Sequence, residues 1–413
     1  MKKRVVITGL GIISSIGIGV EHFWNSLLQG KSGIRPITLF DTSKLRSKHG
    51  GEITDFDPKS LLGPKGLQYF DRTTSLICSA TKLALEDAKI EISDLNRSEI
   101  GVVVGTALGS MASIGDFERT AITEGVNAVL PMSFPNTVLN SFAGHVAIKF
   151  GIEGFNSTLS TGGNSALDAI IYGLDSIRME RSPVVLAGGG EGLCMETYWG
   201  AYLTGLLSGS NDGHDEICAP FDKRRNGIIL GEGSAMLVLE DFEYAKRRGA
   251  KIYAEILNYG STYDNNRSKR NNNGVEGAIR SMSQALEYSA ISPQDINYIC
   301  ASANSTVDGD KVEALAVKRV FGEGNAKMYV SSIKSMTGEC YSAMGAMQVC
   351  ASALAVSDGM IPPTINFREK DPDCDLNLVV NESRRAEASA AMTNSFACTG
   401  NSSSLIITKW KDN

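Results

Sequence analysis

Ser160-Thr161-Gly162-Gly163-Asn164-Ser165 lies between a strand-like run and an apolar segment with helical spacing, a turn that exposes one residue at a helix N-terminus. The dipole and free N–H groups at such a point lower a thiol pKa or hold an oxyanion. The place suits a nucleophile, yet Gly163 offers no side chain. A base is equally hard to find. A serine or cysteine nucleophile normally needs one within reach, and the four histidines are His22, His49, His145 and His214. His22 stands with Phe23 and Trp24 in an amphipathic segment, and His214 stands in a polar Asn-Asp-Gly loop. His145 sits in an apolar helix-like stretch and reads as a satisfied core histidine. No Ser/His/Asp or Cys/His set assembles from these. The eight cysteines form no CxxC pair and flank no histidine at zinc spacing, so no disulfide framework or metal site is expected. They read as reduced thiols of a cytoplasmic protein.

The elements that must position this turn alternate in type. Val5–Thr8, Gly101–Val104, Val184–Leu186 and Ala235–Leu239 read as short strands, and Ser75–Ala88 and Ser165–Met179 as helices. In the second helix Ala166, Ile170, Ile171, Leu174 and Ile177 recur at helical spacing and are expected to face a core. After Leu239 the pattern restarts: Lys251–Leu257, Ile296–Ala301, Met328–Ser331 and Ser403–Lys409 read as strands and Val275–Tyr288 as a helix, with a loop at Pro362-Pro363. This alternation predicts an α/β architecture with helices packed on sheets. Two halves, 1–250 and 251–413, are expected to share a broad interface, because no low-complexity or Pro/Gly linker separates them.

Gly9-Leu10-Gly11 after the first strand invites a dinucleotide-binding reading. The third glycine and the downstream ribose-binding acid are both missing, so tight turns with close backbone approach are expected there. A 42% hydrophobic, 21% charged chain of 413 residues can bury a large core. Its net charge of −6 disfavours nucleic acid, since phosphate binding needs a concentrated basic face. The basic run Arg267 to Arg270 reads as a solvated loop. Val5-Val6-Ile7-Thr8-Gly9 is too short for a secretory apolar region, and no window approaches the roughly 18 apolar residues that a membrane span needs.

Several spaced segments carry a more specific signal. They are Arg4-Val5-Val6-Ile7-Thr8-Gly9-Leu10-Gly11, Pro220-Phe221-Asp222-Lys223-Arg224-Arg225-Asn226-Gly227, Gly231-Glu232-Gly233, Gly309-Asp310-Lys311-Val312-Glu313-Ala314, Ser331-Ser332-Ile333-Lys334-Ser335-Met336-Thr337-Gly338 and Asn394-Ser395-Phe396. Over essentially its whole length the chain resembles the elongating (type II) β-ketoacyl-acyl-carrier-protein synthases. The resemblance implies a thiolase-like fold, two similar halves in a layered α-β-α-β-α arrangement. Active members carry a cysteine that takes the acyl chain, and the matching residue here is Gly163. Their first histidine precedes Gly-Asp-Lys and is matched by Ser302. Their second follows Ser-Met-Thr-Gly and is matched by Glu339, whose charge would repel the enolate that the histidines favour. The glycine-rich gate after Asn-Ser-Phe reads Ala397-Cys398-Thr399-Gly400-Asn401. Asp310, Glu313 and Lys334 do match the family and are expected to form an internal ion-pair network.

Losing the nucleophile and both histidines together rules out condensation by the family's route. The pattern looks like the chain-length factor, or ketosynthase β-subunit, of a type II polyketide synthase, although many of those carry glutamine where this chain has Gly163. The resemblance implies a catalytic ketosynthase partner in a heterodimer and an acyl carrier protein that delivers its own phosphopantetheine, with no further cofactor. Leu108, Met111, Gly115, Met132, Ser133 and Phe134 are expected to line the substrate tunnel or dimer interface, with Cys398 at the gate. The alternatives are a malonyl-carrier decarboxylase, an acyltransferase using Cys340 or Cys398, and a carrier-binding scaffold without chemistry. Cys340 beside Glu339 is expected to hold its proton.

Overall fold

A computed structural model describes residues 3–211, 213–265, 275–322 and 327–412, which places the basic run at Arg267 to Arg270 outside the described residues. Ten strands make the main path of an eleven-stranded sheet. The first half supplies β1 (Val5–Ser14), β2 (Ile100–Gly105), β3 (Asn156–Leu159), β4 (Val184–Glu191) and β5 (Gly233–Asp241). The second supplies β6 (Ala254–Tyr263), β7 (Tyr298–Cys300), β8 (Tyr329–Ser331), β9 (Ala390–Phe396) and β10 (Asn401–Thr408). In space the order is β8-β7-β9-β10-β6-β1-β5-β4-β2-β3. Each half therefore repeats one topology: its first strand is central, its fourth and fifth follow outward, and its second and third form the rim. The rim strands pair in parallel and the central ones antiparallel.

Among the described residues nine helices run to nine residues or more: α1 (Val20–Leu28), α2 (Arg72–Ala88), α3 (Met111–Thr123), α4 (Ser141–Phe150), α5 (Ser165–Arg178), α6 (Met195–Leu203), α7 (Val275–Ser289), α8 (Val307–Phe321) and α9 (Ala343–Asp358). Helices α5 and α9 pack against one another in the largest core cluster, and α9 is apolar and buried almost all round, as a fully enclosed helix must be. Ala166, Ile170, Ile171, Leu174 and Ile177 of α5 all lie in that core. Helices α2 and α4 share a second cluster with the first-half strands, and α7 and α8 a third with the second-half strands. The result is helices on both outer sides and a helix pair at the centre.

Three sequence expectations need correction. No turn forms at Gly9-Leu10-Gly11, because β1 runs on to Ser14 and pairs with β5 along its length. The close approach is real, but it is to α2: a Cβ on Gly11 would lie 1.9 Å from the Ala80 carbonyl oxygen, and one on Gly9 2.4 Å from that of Ala84. The strand expected over Lys251–Leu257 begins later and runs further, at Ala254–Tyr263, because β10 extends its pairing to Tyr263. The one expected over Ile296–Ala301 shrinks to Tyr298–Cys300, the stretch its neighbours pair with.

Candidate functional site

The turn before α5 is held from behind by polar side chains. Thr161 N–H donates to Ser165 Oγ at 2.9 Å, and Ser165 Oγ–H donates to the Gly162 carbonyl at 2.6 Å. Asn164 stands where an N-cap would, but its amide caps nothing; it donates to the Ser395 carbonyl at 2.8 Å and to Ser403 Oγ at 3.2 Å. Asp168, in the first turn of α5, accepts from Thr161 and Ser403 at 2.5 and 2.7 Å, while burial pushes its pKa up. Asn401 donates to the Thr161 carbonyl at 2.8 Å. The β9–β10 hairpin is thereby fastened to the α5 N-terminus.

Gly163 sits at the mouth of this assembly. A Cβ built there would meet only the Ala397 Cβ, at 3.8 Å, an ordinary contact. The neighbouring Gly162 has φ +77°, where a side chain would be strained, and Thr399 Oγ1 comes within 3.1 Å of its Cβ position. The space beside Gly163 is therefore open, and the turn 397–400 leans over it. Exposed Cys398 is on that turn.

Ser302 and Glu339 arrive from the second half. Ser302 Oγ accepts the Phe396 N–H at 2.9 Å, which ties it to the same hairpin. The Ser302 carbonyl and Glu339 Oε2 each accept from Lys334 Nζ at 2.7 Å, and Asn304 Nδ2 donates to Glu339 Oε2 at 3.0 Å. Glu339 is thus a paired anion, its charge compensated by Lys334. Cys340 next to it is fully buried, and burial first, then Glu339 and Glu232, hold its thiol protonated.

The expected network of Asp310, Glu313 and Lys334 does not form as one unit. Lys334 pairs with Glu339, and Asp310 faces Arg225 at 3.8 Å while accepting from the Phe221 and Asn304 N–H groups at 2.8 and 2.9 Å. Among the described residues Glu313 pairs with no cation. It accepts from the Ser302 and Ala303 N–H groups at 2.9 and 2.7 Å and from Asn394 Nδ2 at 3.1 Å. Its role is to order the 302–303 backbone. Burial pushes Glu313 up to about 7 and Asp310 up to about 6. A carboxyl that keeps its proton longer when folded stabilises the fold fully below its unfolded pKa of about 4.3, and that contribution is lost as pH rises through its folded value. Urea unfolding of wild type should therefore lose stability relative to Glu313→Gln between about pH 4.5 and 7.5, by on the order of 3 kcal/mol. A difference that stays constant or grows with pH would show the group to be ionised throughout.

Two further expectations meet the structure here. His145 is not a satisfied core residue: it is half-buried, edge-on to Phe70 at 5.3 Å, and its Nε2 has no hydrogen-bond partner among the described residues. The segment named for the tunnel or interface begins at a buried carboxylate, Glu191, which accepts from the Ala107 and Leu108 N–H groups at 2.8 and 3.1 Å and from Ser342 Oγ at 2.7 Å. Leu108, Met111, Gly115 and Ser133 are half-buried, whereas Met132 and Phe134 are exposed. A Cβ on Gly115 would press on Glu196 of α6 at 2.6 Å. Helices α3, α4 and α6 each expose apolar side chains, with Ile122 83% exposed, Leu203 81%, Ile148 83% and Trp199 48%. Sequence spacing revealed neither Glu191 nor Asn164 as anchors, since each acts on groups far away in the chain. Among the described residues no cluster has the make-up of a metal site, and no helix is long and apolar enough to cross a membrane.

A repeated five-strand topology around two buried helices, with a helix N-terminus aimed at the junction of the halves, defines a thiolase-like ketosynthase fold. Residues 2–245 match the model of the β-ketoacyl synthase N-terminal domain and residues 253–368 that of the C-terminal domain. The chain belongs to the β-ketoacyl synthase family. It is 36% identical to 3-oxoacyl-[acyl-carrier-protein] synthase 2 of Coxiella burnetii and 35% identical to that of Synechocystis, each over 99% of both chains. Among solved structures it resembles the ishigamide ketosynthase/chain length factor, at TM-score 0.93 and 33% identity over all of both chains. It also resembles a type II polyketide synthase ketosynthase bound to the hexaketide, in complex with its acyl-carrier protein, at TM-score 0.89 and 30% identity over 99% of this chain and 100% of that one.

Proposed function

We propose that this chain is the non-catalytic subunit of a heterodimeric ketosynthase, a chain-length factor that pairs with an active ketosynthase and helps to set the length of a chain carried on an acyl carrier protein. The observation that carries this reading is the open position at Gly163, where the fold presents a helix N-terminus and no nucleophile. Ser302 and Glu339 support it, for neither is a neutral imidazole that could polarise a carbonyl, and Glu339 is already engaged by Lys334. The acyltransferase alternative through Cys340 finds no support in a thiol that is sealed and protonated. An unpaired outer edge on β3 and the exposed apolar side chains of α3, α4 and α6 favour a large partner interface.

The test is intact-protein mass spectrometry of the two co-purified subunits after incubation with an acyl carrier thioester. The acyl adduct is expected on the partner alone. An adduct on this chain, mapped to Cys398, would revive the transferase reading. In the same reconstituted system Met111→Ala is expected to lengthen the product without slowing the early condensations, because a shortened wall residue removes excluded volume.

A further inference from the structure

A cleft of about 590 Å³ opens at the far end of the sheet from Gly163. It lies where second-half strands begin or end: Asn297 precedes β7, Ala390 opens β9, and Thr408 closes β10 opposite Glu255 of β6. Strands β9 and β10 reach the Gly163 turn with their other ends, through Ser395 and Asn401. Lys409 and Lys411 line the cleft on a pinned segment. Lys409 N–H donates to the Ser389 carbonyl at 3.0 Å, and the Lys411 carbonyl accepts from Arg4 Nη2 at 2.9 Å. Trp410 between them packs against Val6, Phe242 and Ala245. Arg4 is engaged by Glu255 at 2.6 and 2.9 Å, whereas neither lysine ammonium has a hydrogen bond or ion pair among the described residues. Asn297 Oδ1 accepts from Ser389 N–H, Ser389 Oγ–H and Ala390 N–H at 3.0, 2.5 and 3.2 Å. Three donors on one oxygen fix the amide, and its Nδ2 is left unsealed and without an acceptor among the described residues. Gln294 is placed alike, its Oε1 accepting from Ser292 Oγ at 3.0 Å and its Nε2 unused. Two carboxylates complete the polar lining. Glu387 has no donor among the described residues, and Asp295 uses only Oδ2, for the Ser292 N–H at 2.8 Å.

We propose that this cleft is a ligand site in its own right, for a small phosphate monoester of a polyol such as a sugar phosphate. It goes beyond the heterodimer reading and depends on no part of it. Strands β7, β9, β10 and β6 lie across the sheet from the β3 edge, so a partner seated at β3 leaves the cleft open. Two ammonium groups with no carboxylate of their own, beside two free amide donors, suit a phosphate dianion. Glu387 and Asp295 would repel a second anionic end, yet carboxylates accept well from hydroxyl groups. The rest of the ligand is therefore neutral and hydroxylated. No aromatic side chain lines the cleft among the described residues, and its apolar side is Ile291 and Ala390, which leaves a nucleobase nothing to stack on. The volume falls within the range of small-molecule sites.

The test titrates glucose 6-phosphate into the full chain, with its ketosynthase where the two co-purify, and reads binding by isothermal calorimetry. Inorganic phosphate and glucose are titrated separately. Saturable binding of glucose 6-phosphate is expected with a Kd below about 1 mM, at least about ten-fold tighter than either part. Lys409→Met together with Lys411→Met should weaken it by at least about ten-fold. Glu387→Ala should weaken glucose 6-phosphate by about three-fold or more and leave inorganic phosphate bound as tightly or more tightly. Damage to the fold would not split the two probes in that way. All three side chains are exposed, so the unfolding temperature should not move. No saturable binding up to about 10 mM overturns the inference. So does binding that survives the lysine changes, or inorganic phosphate that binds as tightly as the sugar phosphate.

Discussion

Replacing Ile122 and Leu203 together by aspartate is expected to abolish assembly with a catalytic ketosynthase, weakening association by at least about 100-fold, while leaving the isolated chain's stability within roughly 0.5 kcal/mol. Both side chains are more than four-fifths exposed in the single chain, so within it they carry almost no packing energy. They stand on α3 and α6, which the Arg119–Glu196 pair at 3.3 Å joins. Obligate interfaces in oligomers of this kind bury on the order of 2,000–5,000 Å² and are rich in apolar contacts. Two carboxylates brought into such an interface without partners each lose their hydration, and nothing there compensates. Analytical ultracentrifugation of the mixed subunits reads the association, and urea unfolding of each variant alone reads the fold. Undiminished assembly would move the partner surface elsewhere.

Lys334→Met is expected to destabilise the chain by about 3–5 kcal/mol, the usual cost of leaving one member of a buried pair uncompensated. Lys334 is 5% exposed and Glu339 7%, and the lysine also supports the Ser302 carbonyl, so the cation holds two segments at once. Once it is removed, Glu339 must take up a proton or draw in water, with Asn304 alone to assist it. Combining Lys334→Met with Glu339→Gln should recover part of the loss, giving a coupling of roughly 1–3 kcal/mol in a double-mutant cycle read by urea unfolding. An additive pair of effects would mean that the two side chains stand together without stabilising one another, and that Lys334 serves the Ser302 backbone only.

Much of this molecule was legible in the order of its residues. The apolar spacing of Ala166, Ile170, Ile171, Leu174 and Ile177 defines α5 and its buried face, because helix period and burial are properties of near neighbours. Gly163 at the head of that helix and Glu339 after Ser-Met-Thr-Gly were equally plain, and a glycine has no side-chain atoms with which to attack. The long-range pairing was not legible. Asn164 looks like a helix cap, yet its amide is taken by Ser395 and Ser403, more than 230 positions away. Gly9 and Gly11 look like a turn, yet they lie in mid-strand where α2 lies too close for any Cβ. Asp310, Glu313 and Lys334 read alike as charges, but each took a different partner: an arginine, a row of backbone N–H groups, and Glu339. His145 reads as satisfied and is left, among the described residues, with a bare nitrogen. Residue type determines what a group can donate, accept or carry. Only the packing of the two halves determined which groups meet, how dry the meeting place is, and therefore which charges remain.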